Sequence, residues 1–425
     1  MRAQSESGAS RPRLLVANLS APELDRLAAA ASHAGVLEAY VRRYVNRRRP
    51  LERLLEGLPG LAGPYRRTLG RRRLPPGLDG GRVVEAGVLR DWAFALASRA
   101  PVGLRQRLRG SMQALLVATE AAISRRAARI VPGATHVVAS YGTALDAFRA
   151  AGPGTVKVLN YPIAHHQYQF DCYAEERARN PAFAGMLPTF DWPPGYQERL
   201  EAEIALADRI LVGSRFVRDS FAAQGIATER LCVEPYGVDT SRFGPPPAGR
   251  SHDTFRALYV GQIGQRKGIS YLLEAWRRFR GPDTELLLVG GAVGDPAPLR
   301  AYEGIYRYRP SVPQVELPGI YHSADVFVFP TLIEGMPLVV VEAMACGLPV
   351  ICTDRGPDDL VRDGVEGFIV PIRSPEAIAE KLTLLRGDPA LRERMSRAAL
   401  ARAAEFNWAR YCAGALASVI GEVPA

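Results

Sequence analysis

Tyr259 to Trp276 reads YVGQIGQRKGISYLLEAW, and the order of its parts decides the fold. The short apolar run RALYVG (256–261) ends on a glycine, a turn carries Arg266, Lys267 and Gly268, and ISYLLEAWRRF then has helical periodicity. An apolar strand that turns directly into a helix is the repeating half of a parallel sheet covered on both faces. The same order recurs downstream. ELLLVG (285–290), DVFVFP (325–330) and PVICT (349–353) read as strands, with helices opening at Pro337, Pro375 and Pro389. Upstream, RLLVAN (13–18), THVVAS (135–140), TVKVLN (155–160), RILVGS (209–214) and LCVEPYG (231–237) are again short apolar strands between helical stretches. GPPPAG (244–249) separates the two arrays as a stiff connector. The chain is therefore expected to be α/β, with two parallel-sheet domains at 1–244 and 245–405, and a last helix beginning at Asn407 and Trp408 within 406–425. Residues 42–110 are Arg-rich and read as helices.

The 425 residues, 47% of them hydrophobic, are enough for two or three domains with their own cores. No apolar run reaches the roughly 18 residues that a membrane-spanning helix needs, and the first twenty residues lack the order of a secretory signal, so the chain is expected in the cytoplasm. The five cysteines form neither CxxC pairs nor a dense framework, which predicts reduced thiols and no metal site. Charge is uneven: residues 1–150 carry 25 Arg against 11 acidic residues, and residues 151–425 carry 29 basic against 33. Arg42 and Arg43, Arg47 to Arg49, Arg66 and Arg67, and Arg71 to Arg73 form the basic clusters. They suit either a solvated face or the anionic surface of a membrane. Nucleic acid is not expected, because there is no zinc-finger spacing and the arginines are not interleaved with stacking aromatics.

Ligands of doubly wound sheets gather at the carboxyl ends of the strands. There, Lys267 stands out as one of three lysines (with Lys157 and Lys381) against 51 arginines. A compact ammonium suits a phosphate oxygen, although the loop lacks the GxxxxGK[ST] order of a P-loop. The second signal is EGMPLVVVEAMACG (334–347), with Glu334 eight residues before Glu342 across the expected entry of a helix at Pro337. Eight residues at helical rise span about 12 Å, comparable to a nucleotide sugar. The free N–H groups between the two carboxylates suit a diphosphate. In LNYPIAHHQYQFD (159–171), His165 and His166 follow a strand and are either sugar-facing groups or hydrogen-bonded loop residues.

Together the strand–Gly–RKG loop, the Glu-x7-Glu helix and PVICTDRGPDDLVRDGVEGFIVP (349–371) resemble the family 4 retaining glycosyltransferases of the GT-B fold. ERLEAEIALADRILVGSRFVRDSF and EPYGVDTSRF support the resemblance, which covers most of residues 200–410. It implies two Rossmann-like domains facing a cleft, and transfer of a sugar from a UDP- or GDP-linked donor to a glycan or lipid-linked acceptor, with retained configuration. It implies no cofactor and no metal, and the sequence contains no Asp-x-Asp. Carried onto this chain, Lys267 and Arg266 would neutralise the diphosphate, Glu334 would hold sugar hydroxyls and Glu342 the ribose. Backbone at Gly261, Gly268, Gly335, Met336, Pro337, Leu338 and Val339 would complete the donor site, with His165 and His166 on the sugar or acceptor side. Lys267, Glu334 and His165 are the expected catalytic groups.

Two departures bear on this. Gln262 stands where many relatives have Arg, so Arg266 is the candidate second cation. NLSAP (18–22) replaces a glycine-rich first turn. An inactive binding protein of the same fold, or a sugar epimerase or phosphorylase, are the competing functions.

Overall fold

The computed structural model describes residues 11–59, 62–100, 104, 107–246 and 254–421. Among these, two parallel sheets form. The first contains β1 (Leu14–Asn18), β2 (Leu37–Arg42), β3 (Val83–Glu85), β4 (His136–Ser140), β5 (Val156–Asn160), β6 (Arg209–Val212) and β7 (Leu231–Val233), in the order 3-2-1-4-5-6-7. The second contains β8 (Phe255–Val260), β9 (Thr284–Val289), β10 (Arg307–Arg309), β11 (Val326–Phe329), β12 (Val350–Thr353) and β13 (Gly367–Val370), in the order 10-9-8-11-12-13. Each sheet grows outward in both directions from a central pair, β1 with β4 and β8 with β11, so each has a switch point where a crevice opens beyond the strand ends.

The strands expected from apolar runs form within a residue or two of their expected ends, except that β7 stops at Val233, four residues short of Gly237; helices cover both faces and leave β1, β11 and β12 buried throughout. β2, β3, β10 and β13 were not read as strands. β10 is Arg-Tyr-Arg and wholly exposed, and β3 has only three residues, so neither carries an apolar pattern. β2 ends on Arg42, which is buried through its ion pair with Asp25 at 3.1 Å.

Compactness divides the chain into one unit of Met1–Tyr161, Phe190–Leu211 and Cys412–Ala425, and a second of Pro162–Thr189 and Val212–Tyr411. The expected cut at residue 244 thus falls inside the second unit. Asn180 donates to Ser270 at 2.8 Å, Asp295 N–H to Gly185 at 3.0 Å, and Val238 N–H to Phe406 at 3.0 Å, which ties 162–189 and the chain at Val238 to the second sheet's surroundings. A proline run marks a stiff connector and says nothing about which side its neighbours pack on; residues 247–249 of GPPPAG lie outside the described residues.

The Arg-rich region does contain helices, Pro50–Gly57, Ala62–Arg67 and Val88–Ala97. They close over a small core of Tyr44, Tyr65, Leu69 and Ala95, joined by Leu55, Val88 and Trp92. The Tyr44 hydroxyl donates to Glu52 at 3.0 Å, and its ring meets Trp92 edge-on at 5.4 Å. The five cysteines are free thiols, with Cys346 and Cys352 buried. No helix among the described residues is long and apolar enough to cross a membrane.

Candidate functional site

The second unit's switch point brings the loop after β8 against the loop after β11. Gly261, at φ 146°, and Gly290, at φ 144°, let the ends of β8 and β9 approach closely, since a Cβ on Gly290 would lie 1.8 Å from the Gly261 carbonyl oxygen. Past Gly261 the chain makes one 3-10 turn, Gln265–Lys267, closed by Lys267 N–H to Gly264 at 3.1 Å. Gln265 is fully buried and anchors that turn, donating to Glu176 and to Ser270, each at 2.7 Å. Glu176 in turn accepts from Arg373 at 2.7 Å and Tyr271 at 2.8 Å. Gly268 ends the turn in the left-handed region at φ 70°, where a Cβ would lie 1.9 Å from the Pro330 carbonyl oxygen, so the basic loop rests directly on the end of β11.

That approach delivers both cations to Glu334. Arg266 pairs with one carboxylate oxygen at 2.8 Å and Lys267 contacts the other. The three side chains are only 17%, 12% and 13% exposed, and the ammonium lies over the Phe329 ring at 4.9 Å. Burial and the Arg266 guanidinium lower the Lys267 pKa well below its ordinary value, while the touching carboxylate opposes them. With Lys267 protonated, two cations against one carboxylate leave the cluster with one net positive charge. Arg266 also accepts Leu332 N–H through its carbonyl at 2.9 Å, which fixes its position. Gln262 is exposed and offers only its backbone inward, accepting from the Tyr259 hydroxyl at 2.6 Å.

Glu334 is itself held by its neighbours. Gly335 passes so close to Pro162 that a Cβ would lie 1.7 Å from the Pro162 carbonyl oxygen, and its own carbonyl accepts from Ser214 at 2.8 Å. Gly356, at φ 118°, packs behind Glu334. The following helix is Leu338–Ala345, and Pro337 is its extended N-cap at ψ 104° rather than its first helical residue. The unpaired first-turn N–H groups therefore begin at Leu338 and Val339, both half-buried. Met336 turns its side chain inward, where its sulfur accepts from Tyr236 N–H at 2.6 Å. Glu342 lies further along the helix, half-buried, accepting from the Tyr321 hydroxyl at 3.0 Å. Burial raises its pKa, against the Tyr321 hydroxyl and the Arg242 guanidinium.

His165 and His166 stand differently. His165 is the N-cap of helix His166–Arg179, its Nδ1 accepting from Gln167 N–H at 3.2 Å while its own N–H donates to Ser220 at 3.0 Å. Its ring stacks on His166 at 4.2 Å and meets the edge of Phe221 at 4.9 Å. Burial, with His166 alongside, takes its pKa down to about 4, so it is a neutral cap near pH 7. The segment still borders the site, because Pro162 touches Gly335.

Sequence reasoning missed Pro162, Tyr321, Pro330 and Gly356 as supports of this cluster, and read Ser214 only as a strand-end residue. The TDRG order of 353–356 could have pointed to Gly356, and the end of DVFVFP to Pro330; Pro162 and Tyr321 lie farther from Glu334 in sequence and carry no local signal.

The architecture defines a class first. Sucrose-phosphate synthase from Thermosynechococcus elongatus superposes with a TM-score of 0.62 at 19% identity, covering 95% of this chain and 96% of that one. Anabaena HepE in complex with UDP superposes with a TM-score of 0.60 at 15% identity, covering 94% and 97%. The fold is thus GT-B, with parallel sheets of seven and six strands. Residues 254–388 match the family model described as glycosyl transferases group 1. It is similar to D-inositol 3-phosphate glycosyltransferase 1 of Catenulispora acidiphila, 33% identical over 51% of this chain and 58% of that one. It is likewise similar to the D-inositol 3-phosphate glycosyltransferase of Thermobifida fusca, 31% identical over 53% and 58%. The chain spans less than two thirds of the length of these relatives.

Proposed function

We propose that this protein is a retaining glycosyltransferase that moves a sugar from a nucleoside diphosphate to a hydroxyl-bearing acceptor. The observation that carries the reading is the convergence of Arg266, Lys267 and Glu334 beside the mouth of the Leu338–Ala345 helix at the second sheet's switch point. Two cations and free helix N–H groups form a cradle for a diphosphate, and Glu334 and Glu342 bracket it with acceptors for hydroxyls of the sugar and the ribose.

In the reaction, the bond from the anomeric carbon to the diphosphate oxygen breaks and its electron pair stays on that oxygen. The acceptor hydroxyl oxygen bonds to the carbon and its proton passes to the departing diphosphate. Lys267 and Arg266 stabilise the charge that grows on the leaving oxygen, in a partly dehydrated site where such stabilisation is strongest. Glu334 orients the sugar and opposes the positive charge on its ring. The donor is proposed to be UDP-linked, in line with HepE, solved with UDP and with UDP-glucose. The acceptor is proposed to be a glycan, a lipid-linked precursor or a phosphorylated cyclitol of the kind named for the relatives. We further propose that the enzyme works in the cytoplasm, at the inner membrane face, through its basic first unit.

Binding and slow donor hydrolysis against a panel of UDP- and GDP-sugars tests the reading. One donor is expected to turn over, and Lys267→Ala and Glu342→Ala are each expected to remain folded and to lose transfer by about 10²-fold or more. Near-parental activity in both variants would remove the donor-site assignment.

A further inference from the structure

The arginine excess of the first unit separates into two groups. Arg47 donates to the carbonyls of Gly80 at 3.1 Å and Val83 at 2.7 Å, Arg49 pairs with Glu85, and Arg72 pairs with Asp91. These arginines tie the small Tyr44 core to the sheet edge. Arg48, Arg71 and Arg73 are exposed, and among the described residues no carboxylate pairs with their side chains. With Arg66, Gly70 and Glu56 they line one concavity of about 460 Å³. Four arginines and a single carboxylate residue, Glu56, line it.

The concavity is built. Asn46, only 4% exposed, joins its walls. Its side-chain amide donates to Glu56 at 3.1 Å and to the Gly70 carbonyl at 3.2 Å, its backbone N–H donates to Arg72 at 2.8 Å, and its side-chain oxygen accepts Arg48 N–H at 3.0 Å. Arg66 donates to the Glu56 carbonyl at 2.8 Å. Arg48 is held in the left-handed region at φ 55°, a conformation that costs a non-glycine residue energy and persists only where its surroundings impose it. Four like charges lining one hollow repel one another, and a multiply charged anion relieves that repulsion through forked hydrogen bonds.

We infer that Arg48, Arg66, Arg71 and Arg73 form a binding site for a phosphate-bearing group, presented either by a soluble phosphate ester or by a lipid headgroup. The site shares no residue with the donor cluster, and it stands whether or not the chain transfers sugar.

Calorimetric titration of the full chain with inorganic pyrophosphate tests it. Arg48→Gln, Arg71→Gln and Arg73→Gln combined are expected to weaken one site at least tenfold. A control carrying Arg90→Gln, Arg125→Gln and Arg126→Gln removes equal charge from exposed positions of the same unit and is expected to stay within twofold. Binding at a donor-side site would persist in both variants. Asn46→Ala, with circular dichroism to confirm folding, keeps every guanidinium but loosens the walls, and is expected to weaken pyrophosphate as well. Equal loss in the pocket and control variants, or no loss with folded Asn46→Ala, would reduce the site to diffuse charge and overturn the inference. Flotation with phosphatidylglycerol vesicles and titration with glycerol 3-phosphate assign the source: vesicle binding that follows the pocket variant marks a headgroup, and loss confined to the soluble esters marks a soluble ligand.

Discussion

The two units hold their cations in opposite ways. In the second, Arg266 and Lys267 come from one turn and meet Glu334 in a largely buried cluster, shaped by glycines whose missing Cβ atoms let three backbone segments touch. In the first, arginines are abundant, yet Arg47, Arg49 and Arg72 serve internal carbonyls and carboxylates while Arg48, Arg71 and Arg73 face a hollow. A cation's sequence neighbourhood therefore says less about its task than the acceptors the fold brings to it. Arg47, Arg48 and Arg49 are consecutive and do two different things.

The largest expected effect separates the two roles inside the buried cluster. Glu334 occupies both cations, so Glu334→Gln removes a negative charge that competes with a diphosphate for them and also removes the group proposed to orient the sugar. UDP is expected to bind a few-fold more tightly while transfer falls by roughly 10- to 100-fold, opposite signs for binding and rate. Calorimetry with UDP beside a donor-turnover assay reads both. Equal weakening of both would mean that Glu334 supports the loop rather than the chemistry.

The same contrast explains what the sequence made legible. β11 is apolar along its whole length and β8, β9 and β12 over most of theirs, because helices cover both faces, and each ends at a glycine, a proline or the turn after Thr353, so pattern and fold coincide there. The convergence of Arg266, Lys267 and Glu334, proposed above as a donor site, was legible for a related reason: Lys267 and Glu334 each sit in a short stretch whose local order already indicates strand end, turn and helix. What escaped was long-range. Pro162 against Gly335, Tyr321 on Glu342 and Asn46 across the arginine hollow join residues with no shared local pattern. His165 was open between sugar contact and loop residue, and helix capping by a side chain that reaches only two residues forward is what its geometry displays.

A smaller effect probes how poorly the arginine surplus serves the first unit's own interior. Glu120 and Glu203 are both buried beside one guanidinium, that of Arg199. Glu203 accepts the N–H groups of Gly142 at 2.6 Å, Ala144 at 2.9 Å and Leu145 at 3.0 Å, whereas Glu120 has the Tyr196 hydroxyl at 2.8 Å. Burial, and the nearby Glu203 charge, raise the Glu120 pKa to about 8. The folded state then keeps a proton that the unfolded chain releases near its ordinary carboxyl pKa, so stability falls as pH rises from about 4.5 to 8. Glu120→Gln keeps an acceptor for Tyr196 and never ionises. It is expected to change little at pH 5 and to stabilise by about 1–2 kcal/mol at pH 8, read as a melting temperature that loses part of its pH dependence. Equal shifts at both pH values would trace the change to packing instead.

The smallest effect returns to three consecutive arginines. Arg48 holds φ at 55°, and its side chain has no carboxylate partner among the described residues, so its stability contribution is dominated by backbone strain. Glycine adopts that conformation without a Cβ penalty, although it also gains freedom in the unfolded chain, so Arg48→Gly is expected to be neutral or to stabilise by about 0.5 kcal/mol. Arg49→Gln, which removes the partner of Glu85 and a contact to Glu52, is expected to destabilise by about 1 kcal/mol. Urea denaturation of the two variants measures the difference directly. If Arg48→Gly proves the more damaging, the left-handed turn is not held as the Asn46 bonds imply, and the separation of structural from ligand-facing arginines fails at the place where it is drawn most finely.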